Sequence, residues 1–378
     1  MDCTVKSIHQ DRCLVNWFLA DHQRFTIMED TSSQSPDTSE QTTSIPPTID
    51  AGPLLSGQSY SKYSSCPGAI ALASISTSAS EETINATPYV LGVDEAGRGP
   101  VLGPMVYSAF YLPKDQEASL LTRDHKFNDS KMLTPGVRSN LMRLICTPGH
   151  PLHDTCGWAV KVLSARDIGS GMMRPGMGVY NLNAQAMDAT IEIIRGVVEE
   201  RRVDVREVYI DTIGNPATYQ QKLERIFPTL KITVAKKADS LYPCVSAASV
   251  VAKVTRDVAL DVCYEELLRK QQRSAQSSQT HSEDHGDGWG SGYPSDSKCV
   301  GWLRRDMDAI FGWGNECRFS WSTAKEMLEG KDAARVDWPA EEDDTAKLTD
   351  FLLSHGTGEP SKNDELSSWY GTKLGTVF

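Results

Sequence analysis

The chain has 378 residues and a formal net charge of −12 at neutral pH. No apolar run approaches the ~18 residues that a membrane-spanning helix needs, so the sequence predicts no membrane partner. The charge is concentrated at the ends, since residues 1–87 and 331–378 carry about −6 and −5, and residues 88–330 about −1. The acidic total therefore does not exclude nucleic acid as a ligand of the central residues.

The composition divides the chain into three parts. Residues 29–87 are dominated by Ser, Thr, Pro, Gly and acidic residues, with almost no periodic apolar pattern. Such a segment buries too little apolar surface to offset the entropy of ordering, so we expect residues 1–87 to form a low-complexity, mostly disordered extension. Residues 88–330 are expected to form one domain with a flexible insertion at 271–288. Residues 331–378 form an acidic tail.

Short apolar runs bounded by turn-forming residues predict five strands in the central part of the chain, at 88–94, 104–112, 157–164, 206–211 and 230–236. Apolar residues at helical spacing predict helices at about 134–146, 181–201, 215–226, 244–272, 299–311 and 322–329. Three strands come first, and helices and strands then alternate. This order predicts an α/β domain with a mixed five-stranded sheet flanked by helices, followed by a helical C-terminal extension.

Two adjacent carboxylates, Asp94 and Glu95, end the first apolar run, and a glycine-flanked arginine follows at once. Gly97 and Gly99 allow backbone conformations and close approaches that a Cβ would block. Arg98 between them offers a planar fork of donors suited to phosphate or ribose oxygens. The alternative interpretation is an ordinary acidic pair before a glycine-rich surface turn.

Two more acids stand at the ends of later strand-like runs, Asp211 after 208–210 and Asp239 after 232–238. Carboxylates that converge repel one another unless a cation neutralises them, so a convergent set indicates Mg²⁺ or Mn²⁺. Two such ions a few ångströms apart can activate a water and stabilise a leaving 3′-oxygen. The alternative is that Asp211 caps a helix and Asp239 lies in a turn.

Short motifs along residues 88–325 resemble those of the type 2 ribonucleases H and occur in the same order. They lie at residues 94–100, 102–104, 129–131, 181–183, 211–212, 237–239, 242–243, 245–249, 252–254 and 290–294. Residues 211–214 and 319–324 are most similar to the catalytic subunits of the eukaryotic heterotrimeric enzymes. The resemblance implies a ribonuclease H-like fold for residues 88–330.

The resemblance also implies the functional residues. Four carboxylates would hold two divalent ions, Mg²⁺ or Mn²⁺, and catalyse the reaction: Asp94, Glu95, Asp211 and Asp239. Gly97, Arg98 and Gly99 would surround the ribose 2′-hydroxyl, the group that distinguishes RNA from DNA. Tyr293 would stack on the deoxyribose beyond an RNA–DNA junction. Candidate contacts to phosphate or sugar are Lys131, Asn183 and Lys237.

The function implied by the resemblance is an endonuclease. It would hydrolyse the RNA strand of RNA/DNA hybrids and cut 5′ to single ribonucleotides embedded in duplex DNA, leaving 5′-phosphate ends. Two non-catalytic subunits would dock on its C-terminal part, and the family role implies a nuclear location, without excluding the cytoplasm. One rival is a related nuclease of the same fold, an exonuclease or a junction resolvase, which would be indifferent to the 2′-hydroxyl. Another is a scaffold that only binds hybrids, for which four clustered carboxylates would have no use.

Overall fold

The computed structural model describes residues 45–64, 88–127, 133–173, 180–212, 214–278, 288–330 and 334. At their centre is a six-stranded mixed sheet with the strand order β1-β4-β3-β2-β5-β6. The strands are β1 Tyr60–Tyr63, β2 Tyr89–Ala96, β3 Met105–Pro113, β4 Gly157–Leu163, β5 Val205–Asp211 and β6 Lys231–Ala235. The expected mixed sheet is confirmed, with one strand more than the five expected.

The direction of the strands determines which of their ends lie together. β2 pairs antiparallel with β3, whereas β5 runs parallel to β2 and β6 runs parallel to β5. The carboxyl ends of β2, β5 and β6 therefore meet at one edge of the sheet, where parallel sheets usually bind their ligands.

Nine α-helices are present in the described part of the chain. They are α1 Ala51–Leu55, α2 Pro135–Cys146, α3 Pro151–Thr155, α4 Ala165–Met172, α5 Leu182–Arg195, α6 Pro216–Ile226, α7 Pro243–Ser278, α8 Ser297–Arg305 and α9 Ser322–Leu328. None of these helices is long and apolar enough to cross a bilayer. Alternate residues of β2 face two separate clusters, as strand geometry requires: Val90 packs with residues of α7, and Leu91 packs with residues of α5.

Helix α7 approaches the sheet very closely. A Cβ added to Gly92 of β2 would collide with the backbone of Cys244 at the start of α7. The small side chains of Ala247, Ala248 and Ala252 are fully buried on this helix. These small side chains permit the close packing, which brings α7 next to the carboxyl end of β2.

The expectation for the N-terminal extension was wrong for residues 45–64. Residues 60–63 pair antiparallel with β4 at the edge of the sheet, and α1 precedes them. Thr48, Ile49 and Leu54 are buried, and the Ser59 hydroxyl donates to Asp167 at 2.6 Å. This order comes from contacts with distant residues, which a local composition argument does not include.

Two boundaries also differ from expectation. Helix α7 continues to Ser278, so the first part of the expected flexible insertion is helical, and residues 279–287 lie outside the described residues. Helix α8 ends at Arg305 instead of continuing to residue 311, because Asp308 and Gly312 pair in a tight turn. The acidic tail 331–378 lies outside the described residues except for residue 334.

One ion-pair group on β5 makes stability depend on pH. The Glu207 carboxylate accepts from Lys114 Nζ at 2.7 Å and from the Tyr209 hydroxyl at 2.7 Å, and these bonds lower the pKa of Glu207 to about 2. An acid whose folded pKa is lowered contributes stability above its unfolded pKa and loses it as the pH falls through the folded value.

We therefore expect Glu207→Gln to lower the free energy of unfolding at pH 6, with the difference shrinking as the pH falls from about 4.5 toward 2. Urea denaturation of both proteins over this pH range measures the effect. A difference that does not change with pH would contradict the assignment.

Candidate active site

Four carboxylates lie at or just after the carboxyl ends of three neighbouring strands. Asp94 and Glu95 are near the end of β2, and Asp211 is the last residue of the parallel strand β5. Asp239 lies in the 3₁₀ turn Ala238–Ser240 that follows β6. Asp94 and Asp239 each expose only 6% of their surface. The strand directions therefore bring the sequence-predicted acids to one edge of the sheet.

Charge and burial act strongly on the acids of β2. Burial raises the pKa of Asp94 well above its usual value, and the charges of Glu95 and Asp211 raise it further. Burial and the charge of Asp211 raise the pKa of Glu95 to about 7, while Arg98 opposes this rise. The three carboxylates therefore interact electrostatically, and the site favours the neutral forms of Asp94 and Glu95 unless positive charge is added.

Hydrogen bonds hold two of these acids in place. Asp94 Oδ1 accepts from the backbone N–H of Glu95 at 2.8 Å, and the Ser249 side chain of α7 also hydrogen-bonds to Asp94. Asp211 Oδ1 accepts from the backbone N–H of Ala238 at 2.8 Å. This last bond ties the end of β5 to the turn that carries Asp239.

The donor set fits a divalent cation in charge and chemistry. Mg²⁺ and Mn²⁺ prefer carboxylate oxygens, and a cation beside Asp94, Glu95 and Asp211 would stabilise the ionised forms that their mutual repulsion disfavours. Among the described residues, no group of three or more His, Cys, Asp or Glu side chains is arranged so that it could hold a metal ion. The side chains would have to turn toward the ion, and the ligand assignment stays a prediction.

A tight loop follows the acids of β2, and we call residues 97–99 the 97–99 loop. Gly97 has φ +77°, and a Cβ there would lie 2.6 Å from the carbonyl oxygen of Pro104. The Arg98 guanidinium donates to Asn183 Oδ1 and also hydrogen-bonds to the buried Tyr107 hydroxyl. The structure thus brings together Arg98 and Asn183, which the sequence analysis proposed as separate substrate contacts.

Two cavities share Glu95 and Arg98 in their lining. One has a volume of about 590 Å³, and Gly99, Lys253 and Tyr293 also line it. The other has a volume of about 480 Å³ and is lined further by residues of β5, α5 and α6, which are Asn183, Asp211, Thr218 and Lys222 among others. The linings combine carboxylate, amide and positively charged side chains. Such a combination suits a ligand that carries both phosphate and hydroxyl groups.

Tyr293 lies where the sequence analysis expected a stacking residue. Its side chain is 39% exposed, and its ring would lie 3.3 Å from a Cβ placed on Gly99. The guanidinium carbon of Arg256 is 5.6 Å from the centre of the ring. An exposed ring held between a glycine and an arginine presents an apolar face toward the 590 Å³ cavity.

One of the expected substrate contacts is not part of this arrangement, and another cannot be placed in it. Lys237 is exposed, has φ 57° and lines neither cavity. Lys131 lies outside the described residues. Conversely, Tyr107, Ser249 and Arg318 contact the site and were not proposed as site residues. Ser249 lies in the motif at 245–249, where its small side chain is equally typical of close helix packing, and no local motif marks the other two.

Known proteins are similar to this chain over the range of residues that contains this site. The family model described as Ribonuclease HII matches residues 91–324. The chain is 53% identical to a ribonuclease H2 subunit of Neurospora crassa over 333 residues, which is 88% of this chain and 95% of that protein. It is 40% identical to a ribonuclease H2 subunit of Homo sapiens over 276 residues, covering 71% and 84%. The crystal structure of the ribonuclease H2 from Pyrococcus horikoshii OT3 is 27% identical, with a TM-score of 0.47 and coverage of 64% and 97%.

Proposed function

The chain belongs to the ribonuclease HII family, and from this premise we propose that it is an endonuclease specific for ribonucleotides. It hydrolyses the RNA strand of RNA/DNA hybrids and cuts 5′ to single ribonucleotides in duplex DNA. The observation that carries this proposal is the position of the 97–99 loop, which closely follows the buried Asp94 and the half-buried Glu95.

The acids and their supports perform the hydrolysis. Asp94, Glu95, Asp211 and Asp239 would hold two divalent ions, Mg²⁺ or Mn²⁺, which when bound supply the positive charge that in-line displacement at phosphorus requires. The Ser249 hydrogen bond keeps Asp94 oriented within the buried site. The products would carry 5′-phosphate and 3′-hydroxyl ends, because water displaces the 3′-oxygen.

Recognition of the ribose depends on the 97–99 loop and its neighbours. A 2′-hydroxyl can accept from a backbone N–H or from the Arg98 guanidinium, and deoxyribose lacks this oxygen. Asn183 and Tyr107 hold the Arg98 side chain beside Glu95, so the donor is oriented before substrate binds. Lys253 of α7 adds positive charge to the same cavity.

Product mapping tests this function. The purified protein in its native assembly is incubated with Mg²⁺ and an RNA/DNA hybrid, an all-DNA duplex or a four-way DNA junction. We expect internal cuts in the RNA strand with 5′-phosphate ends. Release of single nucleotides from one end would favour an exonuclease, cutting of the all-DNA junction would favour a resolvase, and binding without cutting would favour a scaffold.

Tyr293 contributes separately, to recognition of the RNA–DNA junction. We expect Tyr293→Ala to lower kcat/KM on a duplex with one ribonucleotide about tenfold, because stacking on an aromatic ring contributes about 1–3 kcal/mol. The loss should be smaller on an all-RNA/DNA hybrid, where the nucleotide that follows the ribonucleotide at the cut also carries a 2′-hydroxyl. Tyr293→Phe is the matched control and should keep most activity. Equal losses for both substrates would contradict a role at the junction.

Partners and location are also proposals. The relatives are themselves named as single subunits of ribonuclease H2, which is consistent with a multi-subunit enzyme. We propose two non-catalytic subunits that dock on residues 331–378, in a nuclear enzyme. Co-purification of both subunits with a chain truncated after residue 330 would contradict this docking site.

A further inference from the structure

The segment of residues 313–321 lies against the 97–99 loop, although more than two hundred residues separate the two in sequence. The backbone N–H of Gly103 donates to Glu316 O at 2.8 Å, and that of Arg318 donates to Val101 O at 2.9 Å. Between these bonds, Cys317 forms a bridge with Leu102. The segment therefore lies directly against the residues that follow the loop.

Side chains of this segment bind every carbonyl group of the loop. The Arg318 guanidinium donates to Gly97 O at 2.6 Å and to Arg98 O at 3.0 Å. The indole Nε1 of Trp321 donates to Gly99 O at 3.0 Å. The guanidinium carbon of Arg318 lies 4.8 Å from the centre of the Trp321 ring, so the two side chains support each other.

Arg318 is an unusual residue to bury for stability alone. Its side chain is fully buried, and burial together with the neighbouring Arg256 lowers its pKa to about 9. Within the described residues no carboxylate pairs with it, and its third bond, at 3.0 Å, is to another carbonyl, Gly103 O. Burying a cation without a counter-charge is costly, so this arrangement indicates a requirement for one particular loop geometry.

The geometry of the peptide bond shows in which direction the N–H groups of the loop point. In a trans peptide the C=O and the following N–H point in opposite directions, and the described residues contain no cis peptide. Because Gly97 O and Arg98 O point toward Arg318, the N–H groups of Arg98 and Gly99 point away from it. The next peptide, after Gly99, has no N–H because Pro100 follows.

We propose that Arg318 and Trp321 are positioning residues that hold the 97–99 loop with the Arg98 and Gly99 N–H groups facing the ribose 2′-oxygen. This inference rests on the proposed function. Among the described residues neither N–H donates to a backbone carbonyl, so both suit an acceptor on the substrate. The segment that contains Arg318 and Trp321 thereby determines ribose selectivity without touching the substrate.

The test measures ribose selectivity separately from turnover. Affinities are measured in Mg²⁺ for a duplex with one ribonucleotide and for the same duplex as DNA, using an Asp211→Asn parent so that neither is cut. In this parent, Trp321→Phe removes one donor and keeps an aromatic ring beside Arg318. We expect the ratio of the two affinities to fall about fivefold, the effect of one lost hydrogen bond, with unchanged affinity for DNA.

Trp313→Phe is the matched control, because its indole donates to Leu303 O at 2.9 Å in the same segment and does not contact the loop. It should leave the ratio unchanged. Arg318→Lys should lower the ratio further, since an ammonium group cannot reproduce the planar fork. The melting temperature of Arg318→Lys is measured as well. If Arg318→Lys fails to fold, the Trp321→Phe result still tests the proposal.

The outcomes separate the two claims. A parent that binds both duplexes equally would overturn the proposed function itself. A parent that prefers the ribonucleotide, together with a Trp321→Phe variant that keeps the full preference, would overturn only the positioning role. Equal losses in Trp321→Phe and Trp313→Phe would also overturn it, since they would reflect general weakening of the segment.

Discussion

Asp94→Asn is expected to abolish turnover while the protein stays folded. The amide keeps the shape of the side chain and its acceptor for the Glu95 N–H, but it removes one negative charge from the cation-binding set. Loss of several kcal/mol of charge stabilisation in the transition state corresponds to a fall in kcat of roughly a thousandfold or more. Steady-state cleavage of an RNA/DNA hybrid in Mg²⁺ measures this loss.

The same substitution should not harm folding. Burial and neighbouring negative charges raise the pKa of Asp94 well above its usual value, so a neutral side chain removes repulsion from the metal-free protein. Thermal unfolding in a chelator should therefore show a melting temperature at least equal to that of the unmodified protein. Asp115→Asn, an exposed acid elsewhere, is the matched control and should keep full activity. Full activity in Asp94→Asn would contradict the assignment of the site.

Gly97→Ala should nearly eliminate activity by distorting the 97–99 loop. The φ of +77° at Gly97 places an L-residue in the left-handed region, which costs roughly 1–2 kcal/mol, and the new Cβ would lie 2.6 Å from Pro104 O. To relieve the contact the loop must shift, and it would carry Arg98 away from Glu95. We expect kcat/KM on a hybrid to fall about a hundredfold, since small displacements of positioning groups cost this much.

Gly301→Ala provides the control for this substitution. Gly301 lies in α8, and a Cβ there would meet nothing within 4 Å. Alanine is also the better helix former, so stability should rise slightly and activity should stay unchanged. If Gly97→Ala kept normal activity and normal stability, the loop would not have the rigid geometry on which ribose recognition depends.

The sheet and its acids were predictable because their signals are local. The five expected strands are short apolar runs, and Asp94, Asp211 and Asp239 lie at or beyond the ends of parallel neighbours. Parallel strands bring such ends together regardless of loop details. A mixed sheet flanked by helices could therefore be inferred before any contact was known, whereas its ribonuclease H-like character was implied by the resemblance of the motifs.

The parts that could not be predicted depend on long-range contacts. Strand β1 is only four residues long, and its formation depends on pairing with β4. Arg318 contacts a carbonyl 220 positions earlier in the chain, and Ser249 looked like one more small residue of a packed helix. A local sequence pattern does not show which distant residues come into contact, so the residues that support the site can be identified only from the folded structure.

The most direct test of the central claim uses a labelled duplex that contains one ribonucleotide, incubated with the protein in its native assembly and Mg²⁺. Controls are the same duplex as DNA and the Asp211→Asn variant, whose amide still accepts from Ala238. We expect a single Mg²⁺-dependent nick 5′ to the ribonucleotide, absent in both controls. Equal cutting of the DNA duplex, or an unchanged nick in Asp211→Asn, would contradict the account.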